Sequence, residues 1–194
     1  MRIRLVAALV LCSAWAFSAP IIWDGSPITF TKPDHADWTL PVNQDHLTPN
    51  VVITRKDTRG IYNIAVESGY IDHHNREGQA AGAWDSPFDT EWAFGSLSDW
   101  DTLTYESWVD WNGFGPFGNM VGKDAVLHLI SDDIYLALRF ESWTSGDPEL
   151  GDGGGGFSYV RSTPSADGQI PEPATLSLLG IALAALLRRR KRRA

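Results

Sequence analysis

The sequence predicts an all-β fold: a single β-sandwich or jelly-roll domain, flanked by an N-terminal signal peptide and a short C-terminal transmembrane helix. Three observations predict it. Short β-branched or alternating runs recur between residues 28 and 161, separated by glycine, proline and aspartate. No stretch of that body carries a helical period. The two ends instead hold uncharged apolar runs beside basic residues, with Arg2 and Arg4 ahead of Leu5–Leu11 and a basic cluster behind Ala174–Leu187.

Residues 1–18 read as a secretory signal peptide. Arg2 and Arg4 form its basic start, and Leu5 to Leu11 its apolar centre. Ser13, Ala14, Ala16, Ser18 and Ala19 supply the small residues that cleavage needs. The cut is expected after Ala16 or Ser18, because Pro20 disfavours one after Ala19. Leu11 stands where a lipidated Cys12 would need a small residue.

The body, residues 19–161, is read strand by strand. A first strand is expected at Ile28–Thr31. Val51-Val52-Ile53-Thr54 is a short β-branched run. Ile61–Glu67 follows the turn residues Asp57 to Gly60. Further strands are expected at Glu91–Phe94 and Leu103–Val109. Ala125–Ile130 is apolar and short. Ile134–Trp143 alternates, with Ile134, Leu136, Leu138 and Phe140 on one face and Tyr135, Arg139 and Glu141 on the other. Ser131-Asp132-Asp133 joins these last two strands as a hairpin turn. Gly151 to Gly156 is predicted to be a flexible loop and Phe157–Arg161 the closing strand. Residues 162–170, polar with proline and glycine, read as a linker.

Composition narrows the function. Of 16 basic residues, eight lie in the terminal segments, whereas all 24 acidic residues lie between them. Residues 20–173 thus carry a formal charge of −16, against −8 for the whole chain. So acidic a body disfavours nucleic acid and anionic polysaccharide as partners held by bulk electrostatics. Cys12 is the single cysteine, so the body has no disulfide framework and must hold together by core burial.

Trp84, Phe88, Trp92, Phe94, Trp100, Tyr105, Trp108, Trp111, Phe114 and Phe117 crowd one region. Such rings either stack on sugar faces or fill the core of a cysteine-free sandwich. Trp108, Trp111 and Asn112 are the candidate glycan-binding residues, because Gly113 and Gly115 suggest an exposed loop. Asp72-His73-His74 has no third ligand at a recognisable spacing and reads as a solvated loop, so no metal site is assigned. Asp34-His35-Ala36-Asp37 and Asp45-His46 read the same way. Asp99-Trp100-Asp101 and Asp132-Asp133 could give oxygens to calcium but are read as turn residues, and no cofactor is expected. No nucleophile-elbow, zinc-protease or phosphate-loop motif is present, and no catalytic residue is assigned.

The tail opens with Pro171-Glu172-Pro173. Ala174–Leu187 follows, 14 uncharged residues spanning about 21 Å as a helix. That falls short of the roughly 30 Å hydrocarbon core and is thin for a permanent anchor. Arg188, Arg189, Arg190, Lys191, Arg192 and Arg193 then orient it with the basic end in the cytoplasm. Triplet, helix and basic cluster, in this order over residues 171–194, resemble the PEP-CTERM sorting signal of Gram-negative bacteria. The resemblance implies recognition of Pro171, Glu172 and Pro173 by exosortase, a membrane protease-transpeptidase. It further implies removal of the tail near the triplet after transient residence in the inner membrane, and delivery to the outer surface or extracellular matrix. The run from Gly122 through Trp143 to Thr163 resembles uncharacterised ectodomains of similar exported proteins, which implies no activity.

The expected protein is therefore exported, structural or adhesive, and not an enzyme. A glycan-binding module of an exopolysaccharide matrix is the first alternative, and a polysaccharide hydrolase using an acidic pair the second.

Overall fold

The computed structural model describes residues 19–71, 85–113, 117–144 and 153–166. The chain divides into two units. One spans Pro20–Gln169 and holds every described residue but Ala19. The other comprises Met1–Ala19 and Ile170–Ala194 and otherwise lies outside the described residues. The expected signal peptide and tail helix therefore fall outside them. Among the described residues no helix is long and apolar enough to cross a membrane.

The described body is mostly β-sheet. Its strands are β1 (Ile21–Trp23), β2 (Gly25–Lys32), β3 (Asp45–His46), β4 (Val52–Arg55), β5 (Ile61–Asn63), β6 (Thr90–Phe94), β7 (Asp124–Leu129), β8 (Ile134–Trp143) and β9 (Phe157–Thr163). Six form one sheet in the order β2-β9-β8-β7-β6, with β1 beside β8. The other three form a small antiparallel sheet, β3-β4-β5.

The alternation of β8 explains the larger sheet. Ile134, Leu136, Leu138 and Phe140 are buried in the core, while Tyr135, Ala137 and Arg139 point the other way. The partner β7 presents Ala125, Leu127 and Leu129 to the same core. The β7–β8 hairpin turns at Asp133, whose φ of 50° lies in the left-handed region that aspartate tolerates. Val51, Ile53 and Ile61, in or beside the small sheet, join the same apolar cluster, as do Trp92, Trp108 and Trp111.

Two refinements of strand pairing escaped the sequence pattern. The pairing of β8 with β9 shifts between Phe140 and Ser142, leaving Glu141 as an extra residue. The bulge reverses the alternation, so Trp143 packs against the core although it lies three residues from Phe140. In addition, β1 runs parallel to β8 at Ile134–Leu136, while β9 runs antiparallel to the same strand from Leu138 to Trp143. The two strands therefore share one lane, end to end. Ser165 Oγ ties the join, donating to the Ile22 carbonyl oxygen at 3.2 Å and bonding the Asp24 carboxylate.

Buried charges fasten the sheets together. Arg161 on β9 grips Asp45 on β3 through Nε and Nη2, at 2.7 and 2.8 Å, and the Tyr159 hydroxyl donates to the same carboxylate at 2.7 Å. Arg55 on β4 is fully buried with its guanidinium 3.7 Å above the Trp143 ring. It donates to the carbonyl oxygens of Arg59, Thr144 and Gly156. Desolvation pulls its pKa down to about 10, against the opposing pull of Asp34.

Three expectations are corrected. The strand expected at Leu103–Val109 is a single bridge, Trp92 to Glu106, followed by one helical turn, α1 (Trp108–Trp111). Ser107 caps it, accepting from the Asp110 N–H and donating to the Asp110 carboxylate. The strand expected to run to Glu67 stops at Asn63, whose side-chain oxygen accepts from the Val52 and Ala65 N–H groups and turns the chain. The glycine run expected to be flexible is, over its described part, a packing seam. Gly154, Gly155 and Gly156 are buried. Gly155 sits at φ +65°, where a Cβ would meet the Lys56 carbonyl oxygen at 2.0 Å. The glycines are needed for close backbone approach, not for mobility.

Candidate functional site

The face of the large sheet turned away from the core carries the exposed chemistry of the body. One row crosses three strands in register: Glu91 on β6, His128 on β7 and Tyr135 on β8. Glu91 Oε1 lies 2.7 Å from His128 Nδ1, within hydrogen-bond distance. His128 Nε2 lies 3.4 Å from Asp133 Oδ1. The imidazole stacks on the Tyr135 ring at 4.0 Å and 4°.

The segment after β6 folds over this row. Trp100 packs against Tyr135 at 4.5 Å with the rings tilted by 48°, and Tyr105 meets both Tyr135 and His128 edge-on. The Tyr105 hydroxyl donates to the Trp100 carbonyl oxygen at 2.9 Å, which holds the segment closed. Burial pushes the hydroxyl pKa values of Tyr105 and Tyr135 up. Trp100, Tyr105 and Tyr135 remain half-buried, so they form an aromatic platform with carboxylates at its rim.

Beside that platform lies an open groove of about 380 Å³. Ala137, Val160 and Ser162 form its floor, with Leu97 on one side and Pro27 on the other. Asp124 and Arg139 supply its charge. Arg139 Nε donates to Glu141 at 2.8 Å, and Nη1 lies 4.0 Å from Asp124, so the groove has no uncompensated cation.

The sequence-predicted residues fall elsewhere. Trp108, Trp111 and Asn112, expected on an exposed loop, are only 1%, 6% and 6% exposed. Gly113 after them is exposed, but the two rings pack into the core, Trp108 on Trp143 and Trp111 on Trp92 and Phe140. The Asn112 carboxamide is buried, and among the described residues neither of its polar atoms has a hydrogen-bond partner. Asp45 is engaged with Arg161, and Asp132 accepts from Thr48 and Asn50. Asp72, His73 and His74 lie outside the described residues. Among the described residues, no group of three or more His, Cys, Asp and Glu is placed to hold a metal ion. The outer-face row was missed because its members come from separate strands. The alternation of β8 placed Tyr135 and Arg139 on that face, and nothing in the sequence identified which residues would meet them.

Residues 169–193 match the family model described as the PEP-CTERM protein-sorting motif. The chain carries a PEP-CTERM sorting signal. The match covers Pro171, Glu172, Pro173 and the basic residues from Arg188 to Arg193. A PEP-CTERM signal marks an exported protein recognised by exosortase and processed at the cell envelope. The match stops at the tail and assigns nothing to the β-rich body. No curated protein and no solved structure matches the chain.

Proposed function

We propose that this PEP-CTERM protein is a structural or adhesive component of the outer surface or extracellular matrix of a Gram-negative bacterium, with a non-catalytic body. On this reading the signal peptide is removed after Ala16 or Ser18. The short tail helix then holds the protein in the inner membrane until exosortase cuts near Pro171–Pro173. The observation that carries it is the sorting motif at residues 169–193. In its support, Asp45, Glu67 and Glu91 each bond residues distant in sequence and so tie parts of the β-rich body together.

A second reading, a glycan-binding module of the exopolysaccharide matrix, draws on the half-buried platform of Trp100, Tyr105 and Tyr135. Rings left half-buried beside carboxylates suit contact with a sugar.

The test is the intact mass and C-terminal peptide of the protein purified from its host. The expected C-terminus lies at or near Pro171–Pro173, with or without an attached group. A C-terminus at Ala194 in the mature surface fraction would overturn the reading. So would a Glu172→Ala variant processed as fast as the parent.

A further inference from the structure

We infer that the outer-face groove between Leu97 and Pro27 is a binding site for a neutral glycan. The inference rests on the glycan reading above and gives it a location different from Trp108 and Trp111. Four observations carry it. First, the groove is a formed concavity of about 380 Å³, within the size range of small-ligand sites. Its floor is low because Ala137 and Ser162 are small, and Val160 on the floor with Leu97 and Pro27 on the sides gives it apolar surface. Such surfaces suit the apolar face of a sugar ring.

Second, the groove contains an unused donor. Ser162 is 8% exposed, and its hydroxyl oxygen accepts the Ala137 N–H at 2.9 Å. Among the described residues the hydroxyl proton has no acceptor, so it is free to donate to a ligand hydroxyl. Third, the polar rim pairs opposite charges. Asp124 is exposed and accepts, while the half-exposed guanidinium of Arg139 has donors beyond the one used on Glu141. A planar donor fork beside a carboxylate fits vicinal hydroxyls, which donate and accept at once.

Fourth, charge selects among polymers. Arg139 is already compensated by Glu141, and the surrounding body carries −16. An anionic polysaccharide or a phosphate meets repulsion without a free cation to offset it. An uncharged, hydroxyl-rich chain meets neither penalty. An open groove also admits internal segments of a polymer, where a closed pocket admits only chain ends.

The test is affinity electrophoresis of the purified full chain in native gels containing dextran, galactomannan or soluble starch, with alginate as the anionic comparison. The parent protein is expected to be retarded by at least one neutral polymer and not by alginate. Ala137→Phe, which fills the floor, is expected to weaken that retardation at least ten-fold with an unchanged thermal midpoint. Arg139→Ala should weaken it several-fold. If Ala137→Phe does not fold, Leu97→Asp on the groove wall replaces it. Retardation that neither the filled groove nor Arg139→Ala alters overturns the groove but leaves glycan binding elsewhere on the chain. No retardation in any neutral polymer overturns both, and retardation by alginate alone overturns the neutral-glycan assignment.

Discussion

Arg161 and Arg55 are both buried, and they differ in what balances them. Arg161 faces a carboxylate in a two-point grip, with Tyr159 bonded to the same group. Removing one partner of such a pair leaves a buried charge unpaired, which costs about 3–5 kcal/mol. Asp45→Ala is therefore expected to lower stability by that amount, read as a shift in the urea midpoint. Asp45→Ala combined with Arg161→Leu and Tyr159→Phe should recover much of the loss. Arg55 has backbone carbonyls and the face of Trp143 instead of an acid, which is why burial lowers its pKa to about 10. Tyr62 moves the opposite way. Burial, with Glu67 adding to it, raises its hydroxyl to about 12. Above pH 10 the unfolded chain loses this proton while the fold retains it, so stability falls as pH rises from 10 toward 12. The buried Tyr159 is raised further and acts in the same direction, whereas Arg55 opposes it over the same window. The expected outcome of an alkaline titration is that part of the tyrosinate absorbance appears only as the protein unfolds. Free titration of every tyrosine in the folded state would contradict it.

The elements show which signals a sequence carries. The long strand β8 was legible because its four core residues alternate without interruption. The bulge at Glu141 was not, because a bulge is set by what the partner strand offers, here Ser158 and Phe157. Deleting Glu141 should restore simple alternation and leave Trp143 on the core face, because Phe140, Ser142 and Trp143 would then pair Tyr159, Ser158 and Phe157 without a break. Its contact with Arg55 should persist and Trp fluorescence should stay that of a buried ring, whereas a shift toward that of solvent-exposed rings would contradict the argument. The helix α1 was misread because one turn is too short to show a period, and its capping by Ser107 is visible only once the turn is assumed. Strands β1 and β3 were missed because three and two residues give no pattern. The sheet edge explains other residues. On the edge strand β2, Pro27 removes an N–H, a register shift falls between Gly25 and Ile28, and Lys32 points inward. Each feature discourages a second sheet from pairing there. Pro27→Val with Lys32→Val is expected to cause concentration-dependent association, measured by sedimentation velocity, while the parent stays at one size.

At the scale of the molecule, the tail's signal could be read from the sequence, whereas the body showed its β class but not its binding face. Sorting depends on order and charge along a line, and Pro171 to Arg193 present both without needing a fold. A binding face depends on residues joined through sheet register, as Glu91, His128 and Tyr135 are. The crowded aromatic residues therefore announced either core or ligand. Only the structure divides them, with Trp92, Trp108 and Trp111 in the core and Trp100 and Tyr105 outside it. The charge of −16 over residues 20–173 belongs to this scale too. Self-repulsion of so acidic a body weakens the compact state at low ionic strength. The thermal midpoint is therefore expected to rise as sodium chloride is raised from very low to physiological ionic strength, and a fall would contradict the argument.

The lane shared by β1 and β9 also has a mechanical meaning. The segment toward the tail leaves from the end of β9, which is bonded along one edge to β2 and along the other to β8. Traction on that tail, in a domain gripped at its outer face, enters through an interior strand. Pulled along its length, β9 has to slide past both neighbours, so many ladder bonds share the strain instead of parting singly from an edge. For a protein held at one end against flow, the rate of forced unfolding sets its lifetime. The C-terminal connection begins where that rate is expected to be slowest.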